Sequence, residues 1–328
     1  MANAQERART LADELLFPAA LATDASELVP VGNLDALAEA SLYGMAAPSS
    51  VGGLDLDRVA ANGVIEALAS GCLSTTFVWI QHHNPVRAVA GSETPGIRDE
   101  WLEALARGER RAGIARAGER PGPPILTARR TADGLVLNGE APWVTGWGLV
   151  DVVLVAAREG DTVVRVLMDA VAAETLEAQR LQIVAANASG TVTLRFHDHP
   201  VPAGRIVESE PLEAVLARDP EGLRTNGSLA LGVISRCCTL LGPSALDEAA
   251  AAARSALDAG DADTLPAARA RAAELALRAA AALTVADGGR GIVMDQHAQR
   301  LAREALFLLV FGTRASIRDA LLGRLTQP

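Results

Sequence analysis

Two helical stretches enclose a central stretch of strand-like sequence, and this order limits the folds open to the 328-residue chain. Apolar residues recur at intervals of three and four in residues 57–68, and residues 267–285 are rich in Ala and Leu. Between about 125 and 210, β-branched or alternating runs such as 163–168 are bounded by turn residues, which is typical of strands. The order predicts an α+β protein with helices at both ends and a sheet between them.

Composition and charge exclude several classes of partner and location. A hydrophobic content of 49% is enough for more than one packed layer or domain. The chain contains no run of about 18 uncharged apolar residues, so no membrane span is predicted. Residues 1–7 have no apolar signal core. The net charge of −10 argues against nucleic acid or an anionic membrane as partner. Because adjacent Cys237 and Cys238 are poor disulfide partners and Cys72 is the only other cysteine, we expect a cytoplasmic protein without structural disulfides.

Two of the four tryptophans, Trp143 and Trp147, lie in a glycine-containing turn that follows one strand-like run and precedes another. Tryptophan offers a rigid aromatic surface, which suits packing against another flat group. The alternative is an ordinary core tryptophan at a hairpin corner. Residue type alone favours that alternative, so the rest of the chain has to be considered.

The sequence around Trp143-Val144-Thr145 resembles the flavin-contacting W-[IV]-T segment of the acyl-CoA dehydrogenase family. Further stretches resemble the family in the order in which they occur there, namely 42–53, 105–109, 192–207, 287–291 and 299–313. The resemblance covers nearly the whole chain. It is carried by the ordered succession of these stretches rather than by any single motif.

The resemblance implies an N-terminal helical domain (1–112), a middle β-barrel (113–215) and a C-terminal helical bundle (216–328). It also implies FAD bound between barrel and bundle, partly by a neighbouring subunit, in a dimer or tetramer. Family members oxidise the CH–CH group of an acyl-CoA thioester, as in fatty acid or lipid catabolism. A glutamate takes the α proton while the flavin accepts hydride from the β carbon.

By the same resemblance, Trp143 would pack against the isoalloxazine ring of FAD, with Val144 and Thr145 lining it. Thr145 would offer a hydroxyl or a backbone N–H to the polar edge of the flavin. The alternative for Thr145 is an ordinary turn residue at the end of a strand. These three are the first candidate cofactor-binding residues.

A second set of candidate cofactor-binding residues lies near the C terminus. Gly288, Gly289 and Gly291 would let the backbone approach a phosphate or the adenosine of FAD, held either by the same subunit or by another one, because glycine permits close approach. The alternative is a helix C-cap. Thr313 matches a threonine that lies near the flavin in the family, and its alternative is a turn that ends a helix.

Three departures from the family pattern bear on catalysis. The usual base position is occupied by Phe311, which cannot accept a proton, and Glu304 matches a structural position instead, so the catalytic base is unknown. The family's flavin loop corresponds to 115–122, where the hydroxyls are absent and Arg116 replaces a glutamate. The family's segment with an arginine that reaches the FAD phosphate is replaced here, and Arg254 is a candidate remnant of that arginine.

The five histidines suggest no other chemistry. His82 and His83 are adjacent and would point about 100° apart on a helix, which makes a poor metal pair. His197 and His199 share a strand face, but no third ligand is evident nearby. We therefore predict no metal site.

Three hypotheses follow. The chain is a flavin-dependent acyl-CoA dehydrogenase that works as a homo-oligomer with an unrecognised base. Alternatively, it is the base-less partner of a heteromeric dehydrogenase and completes the FAD pocket of a catalytic homologue. The third hypothesis is a flavin-free relic of the fold that binds a ligand or acts as a scaffold.

Overall fold

The N-terminal third of the protein is helical. A computed structural model describes residues 3–326, with side chains at all of them except 219–221. A π-helix (Ala12–Leu16) joins the first two α-helices. The α-helices of this part are α1 (Ala4–Leu11), α2 (Phe17–Ala25), α3 (Val31–Glu39), α4 (Arg58–Gly71), α5 (Leu73–Gln81), α6 (His83–Gly91) and α7 (Ile97–Arg107).

Eight strands form one sheet in the middle of the chain. They are β1 (Ala112–Ala115), β2 (Leu126–Arg130), β3 (Gly134–Val144), β4 (Val152–Glu159), β5 (Thr162–Asp169), β6 (Leu176–Arg180), β7 (Val192–Pro202) and β8 (Ile206–Pro211). The sheet order is β6-β7-β3-β2-β4-β5-β8, and β1 pairs in parallel with β4.

The prediction of a closed β-barrel has to be corrected, because the sheet is open. Strands β6 and β8 are the two edge strands of the sheet, and no pairing joins them among residues 3–326. The edge of β8 is contacted instead by the loop between α6 and α7. Ser92 Oγ donates to Val207 O at 2.6 Å, and Thr94 Oγ1 donates to Ile206 O at 2.6 Å. These carbonyls are therefore satisfied without another strand. The α+β class, with helices before and after the sheet, is confirmed.

The C-terminal part is helical again. Its helices are α8 (Leu212–Ala217), α9 (Asp219–Leu241), α10 (Ala245–Asp258), α11 (Leu265–Asp287), α12 (His297–Val310) and α13 (Ala315–Leu325). The start of α10 is fixed by a capping box, in which Asp247 Oδ2 accepts from Ser244 N at 2.8 Å.

The N-terminal and C-terminal helices share one apolar core. Leu16 and Leu68 belong to the same cluster of buried side chains as Ile234 and Leu301, whereas the sheet encloses a second cluster. The two helical parts are also tied by a buried arginine, since Arg236 Nε donates to Ser70 O at 2.7 Å. The division at 112/113 and 215/216 stays a prediction.

Candidate functional site

Strand β3 ends in a bulge that turns one side chain out of the sheet. Its register with β7 shifts between Ala141 and Val144, and Trp143 between them has a φ of 65°. The indole of Trp143 is 58% exposed, whereas Val144 is fully buried in the core of the sheet. Holding a bulky residue in the left-handed region costs about 1–3 kcal/mol, and such strain concentrates at functional sites. The exposure excludes the alternative that Trp143 is a core residue.

Thr145 follows Val144, and its hydroxyl belongs to a series of three hydroxyl groups that contact one another. Its Oγ1 lies 3.2 Å from Thr191 Oγ1, which lies 2.8 Å from Ser189 Oγ. The backbone of the same turn is fixed by Gly146 N, which donates to Ser189 O at 2.9 Å. Thr145 is only 3% exposed, so it is a built part of the fold rather than a loose turn residue.

The glycine run forms the exposed end of α11. Gly288 caps the helix with a φ of 60° and donates its N–H to Val285 O. A Cβ built at Gly288 or Gly289 would meet no atom within 4 Å, whereas one at Gly291 would lie 2.9 Å from Thr284 O. The C-cap alternative therefore describes the local geometry, and the outer face of Gly288 and Gly289 is open to a ligand. Contact with FAD stays a prediction.

The segment that follows α12 carries Phe311 and Thr313. The Phe311 ring stacks on Phe307, with ring centroids 5.5 Å apart, and meets the edge of Phe77 at 4.9 Å. Thr313 is exposed and donates its hydroxyl to the neighbouring Arg314 O at 3.4 Å. The position of the usual base is thus occupied by an aromatic cluster that joins α5 to α12.

The turn that corresponds to the family's flavin loop is locked onto the sheet. Arg158, only 4% exposed, donates Nε to Gly118 O at 2.9 Å and Nη2 to Arg120 O at 2.6 Å. Glu119 is buried and pairs with Arg165 at 2.8 Å and also with Arg116. Arg116 and Arg120 are therefore tied into this turn, the first by its side chain and the second by its backbone.

Two charged residues weighed in the sequence have structural partners. Arg254, the candidate remnant of the phosphate-binding arginine, pairs with Glu66 at 2.9 Å. Glu304 is buried and pairs with Arg300 at 2.5 Å, while its Oε2 has no hydrogen bond. Burial raises the pKa of Glu304, and Arg300 opposes that shift. Glu304 lies two turns before Phe311, inside the helical core rather than beside Trp143.

The histidines occupy structural positions. His82 is buried and accepts from Ala112 N at Nδ1, with its Nε2 3.0 Å from Leu105 O. His199 Nδ1 lies 2.9 Å from Thr175 Oγ1. Residues 3–326 contain no group of three or more His, Cys, Asp or Glu side chains arranged to hold a metal ion. None of the helices in that range combines the length and apolar content needed to cross a bilayer.

The candidate residues lie at three places in the chain. Trp143, Val144 and Thr145 lie at the end of β3, and the glycine run and Thr313 flank α12 at its opposite ends. At 1.5 Å per residue, the 14 residues of α12 separate those two ends by about 20 Å. A single site that used both ends of α12 would have to extend over about 20 Å or draw its two parts from two chains.

The exposed indole of Trp143 offers a flat surface of the kind that a flavin ring could pack against, and the Thr145 hydroxyl two residues further on is fixed by Thr191. Contact of these residues with a flavin stays a prediction. Sequence reasoning missed Ser189, Thr191 and the cluster of Phe77 and Phe307. Nothing local in the sequence marks these residues, since Thr191 lies 46 positions from Thr145 and Phe77 more than 200 from Phe307.

Comparison with known proteins gives the chain its relatives. A model of the acyl-CoA dehydrogenase N-terminal domain matches residues 2–109. Over 158 residues the chain is 31% identical to a 3-sulfinopropanoyl-CoA desulfinase of Variovorax paradoxus, which covers 47% of this chain and 40% of the relative. The chain thus spans about two fifths of the length of that relative.

Solved structures show the same fold over the whole chain. Butyryl-CoA dehydrogenase from Megasphaera elsdenii matches with a TM-score of 0.82 and 16% identity, over 100% of this chain and 99% of that one. PigA, in a structure with FAD and proline, matches with a TM-score of 0.81 and 17% identity, over 99% and 98%. At these identities the likeness concerns the fold.

Proposed function

We propose that this chain is a flavoprotein of the acyl-CoA dehydrogenase family, which binds FAD and an acyl-CoA thioester; the family model over residues 2–109 and the likeness in fold support this assignment. The exposed indole of Trp143, held at positive φ, is the observation that carries this proposal. A strained aromatic surface is best explained by a flat ligand that covers it when bound. The free thiols of Cys72, Cys237 and Cys238 support a location in the cytoplasm.

The residues around Trp143 would orient the cofactor. The indole would support one face of the ring, and Thr145 would give its polar edge a hydrogen bond. FAD, when bound, supplies a two-electron acceptor for oxidation of the carbon–carbon bond next to the thioester. The Gly288–Gly289 backbone would meet the phosphates or the adenosine of an FAD shared with a neighbouring subunit, and Thr313 would lie near the flavin of its own site.

A second candidate is favoured by Phe311. Its side chain is part of an aromatic cluster and offers no proton acceptor, so the chain lacks a base where the family places one. The 20 Å between the two ends of α12 also suits a site shared between chains. In this second candidate the protein is the base-less partner of a catalytic homologue in a heteromer rather than a homodimeric dehydrogenase.

Titration with FAD, followed by anaerobic addition of thioesters, separates the candidates. Butyryl-CoA and 3-sulfinopropanoyl-CoA are suitable probes, because relatives are named for them. Flavin binding with bleaching indicates an autonomous dehydrogenase. Flavin binding without bleaching, together with a homologue that co-purifies from the host, indicates the partner subunit. A protein that binds no FAD, alone or with such a homologue, contradicts both and leaves the flavin-free scaffold.

A further inference from the structure

Three buried hydroxyl groups form a chain behind the candidate flavin surface. Ser189 Oγ, Thr191 Oγ1 and Thr145 Oγ1 are linked by contacts of 2.8 and 3.2 Å. Their residues are 0%, 2% and 3% exposed, in that order. No hydrogen bond of Ser189 Oγ beyond the one to Thr191 occurs within residues 3–326. All three groups are therefore buried, with Thr191 in the middle and Thr145 at the end nearest to Trp143 along the chain.

The number of hydrogens gives this series of three hydroxyl groups a direction. Three hydroxyls carry three hydrogens, and the two contacts between them use only two. If the third stayed on Ser189, it would be buried without an acceptor, which is unfavourable. If each hydroxyl donates toward Thr145, the remaining hydrogen is on Thr145 Oγ1, two residues after Trp143. Under the proposed function this is the hydroxyl that faces the flavin, so the second arrangement gives the hydrogen an acceptor once the cofactor is bound.

The segment that carries Ser189 is itself fixed by all three parts of the fold. Val29 N donates to Ala188 O at 2.7 Å, and Arg303 Nη1 of α12 donates to Val184 O at 2.8 Å. On the sheet side, a Cβ at Gly190 would lie 2.5 Å from Trp147 O, so only glycine allows this approach. The segment is therefore a rigid support for the hydroxyl chain.

We propose that Ser189 and Thr191 are positioning residues, which hold the Thr145 hydroxyl with its hydrogen directed toward the polar edge of the bound flavin. This role rests on the proposed function, because it needs a flavin beside Trp143. Neither residue touches the ligand. They act by removing the rotational freedom of the Thr145 side chain before the cofactor arrives.

Thr191→Val tests the role, because it keeps the shape of the side chain and removes both hydroxyl contacts. FAD titrated into the apoprotein should bind about three- to tenfold more weakly than to wild type, as expected for one lost hydrogen bond. The absorption band of the bound flavin should also shift, and Thr191→Ser should restore both values. A merely structural role would lower the thermal midpoint without moving the flavin spectrum.

Thr193→Val is the matched control, since Thr193 lies two residues after Thr191, near the start of β7, and its hydroxyl makes no hydrogen bond among residues 3–326. It should bind FAD as wild type does. If Thr191→Val does not fold, Ser189→Ala removes only the hydroxyl farthest from Thr145. It should also weaken FAD binding, but by less than Thr191→Val. Equality of Ser189→Ala or Thr191→Val with the control overturns the positioning role. A wild type that binds no FAD overturns the proposed function, and the positioning role with it.

Discussion

At the scale of single residues, strain and exposure coincide at Trp143. Its positive φ follows from the bulge that lets Val144 return to the core of the sheet while the indole faces outward. Glycine would adopt this backbone without penalty, so the presence of tryptophan has to be explained by its side chain. The molecule accepts a local loss of stability to present an aromatic surface.

This predicts an unusual order of stabilities for two variants. Trp143→Gly relieves the left-handed strain, whereas Trp143→Ala keeps it and also removes the indole. The glycine variant should be more stable than the alanine variant by about 1 kcal/mol in urea unfolding. An alanine variant as stable as the glycine variant would show that the φ at this position is not strained.

A second residue-scale prediction concerns acid sensitivity. Burial lowers the pKa of His82 to about 4, whereas an unfolded histidine titrates near 6.5. The unfolded chain therefore binds the proton first, and stability is lost as the pH falls below about 6.5 toward 4. Between pH 7 and 5, His82 should account for about 2 kcal/mol of that loss.

Urea unfolding of His82→Gln at both pH values measures this contribution. The variant should show a smaller difference between pH 7 and pH 5 than wild type by about that amount. His197→Gln, at an exposed histidine, is the control and should follow wild type. Equal differences for wild type and His82→Gln would mean that His82 is not held neutral by burial.

At the scale of elements, the turn 116–122 is the clearest case of one segment fixed by charge. Arg165 is almost buried and contacts Glu119, Glu208 and Glu210, so a single guanidinium joins the turn to β5 and β8. Although burial alone would lower the pKa of Arg165, the three carboxylates raise it. The turn is thereby held firmly against the sheet.

Glu119→Gln should destabilise the protein by about 2 kcal/mol, because it breaks a buried pair and leaves part of the Arg165 charge uncompensated. Glu208→Gln removes a carboxylate from the same guanidinium, but that carboxylate is 41% exposed, so the loss should be below about 1 kcal/mol. Urea unfolding at neutral pH compares the two. A larger effect at Glu208 would contradict the assignment of Glu119 as the anchor of the turn.

The elements themselves could be predicted from sequence, but their contacts could not. The Ala- and Leu-rich composition of 267–285 predicts a helix where α11 runs from Leu265 to Asp287, and the β-branched run 163–168 predicts a strand that lies inside β5. The bulge at Trp143 and the hydroxyl contact between Thr145 and Thr191 depend on how β3 meets β7 and the segment before it. The open sheet depends on Ser92 and Thr94, which no strand pattern indicates.

At the scale of the whole molecule, the first and last parts of the chain are one packing unit. Helix α9 lies so close to α4 that a Cβ at Gly232 would be 2.5 Å from Ala69 Cβ and 2.7 Å from Glu66 O. The nearby Arg224 adds an ion pair to Glu66 at 3.1 Å. The sheet and its candidate site are held between helices that do not form separate cores.

Substitutions at two glycines of α9 test this close contact, and we expect them to change the stability of the protein in opposite directions. Gly232→Ala forces backbone of α4 and α9 apart and should destabilise by about 1–3 kcal/mol. The Cβ that Gly222→Ala adds would meet no atom within 4 Å. This substitution should therefore raise the free energy of unfolding by about 0.5–1 kcal/mol, through helix propensity alone. Thermal and urea unfolding measure both. Equal effects of the two substitutions would contradict the shared core.

The central claim, that Trp143 is the surface on which a flavin ring lies, is tested most directly by titrating FAD into wild type and Trp143→Gly. Protein fluorescence and flavin absorption report the binding. The account predicts that wild type binds FAD and that the variant, folded and at least as stable as Trp143→Ala, binds it about tenfold or more weakly. Equal affinity in the two proteins, or no binding by wild type, would contradict it.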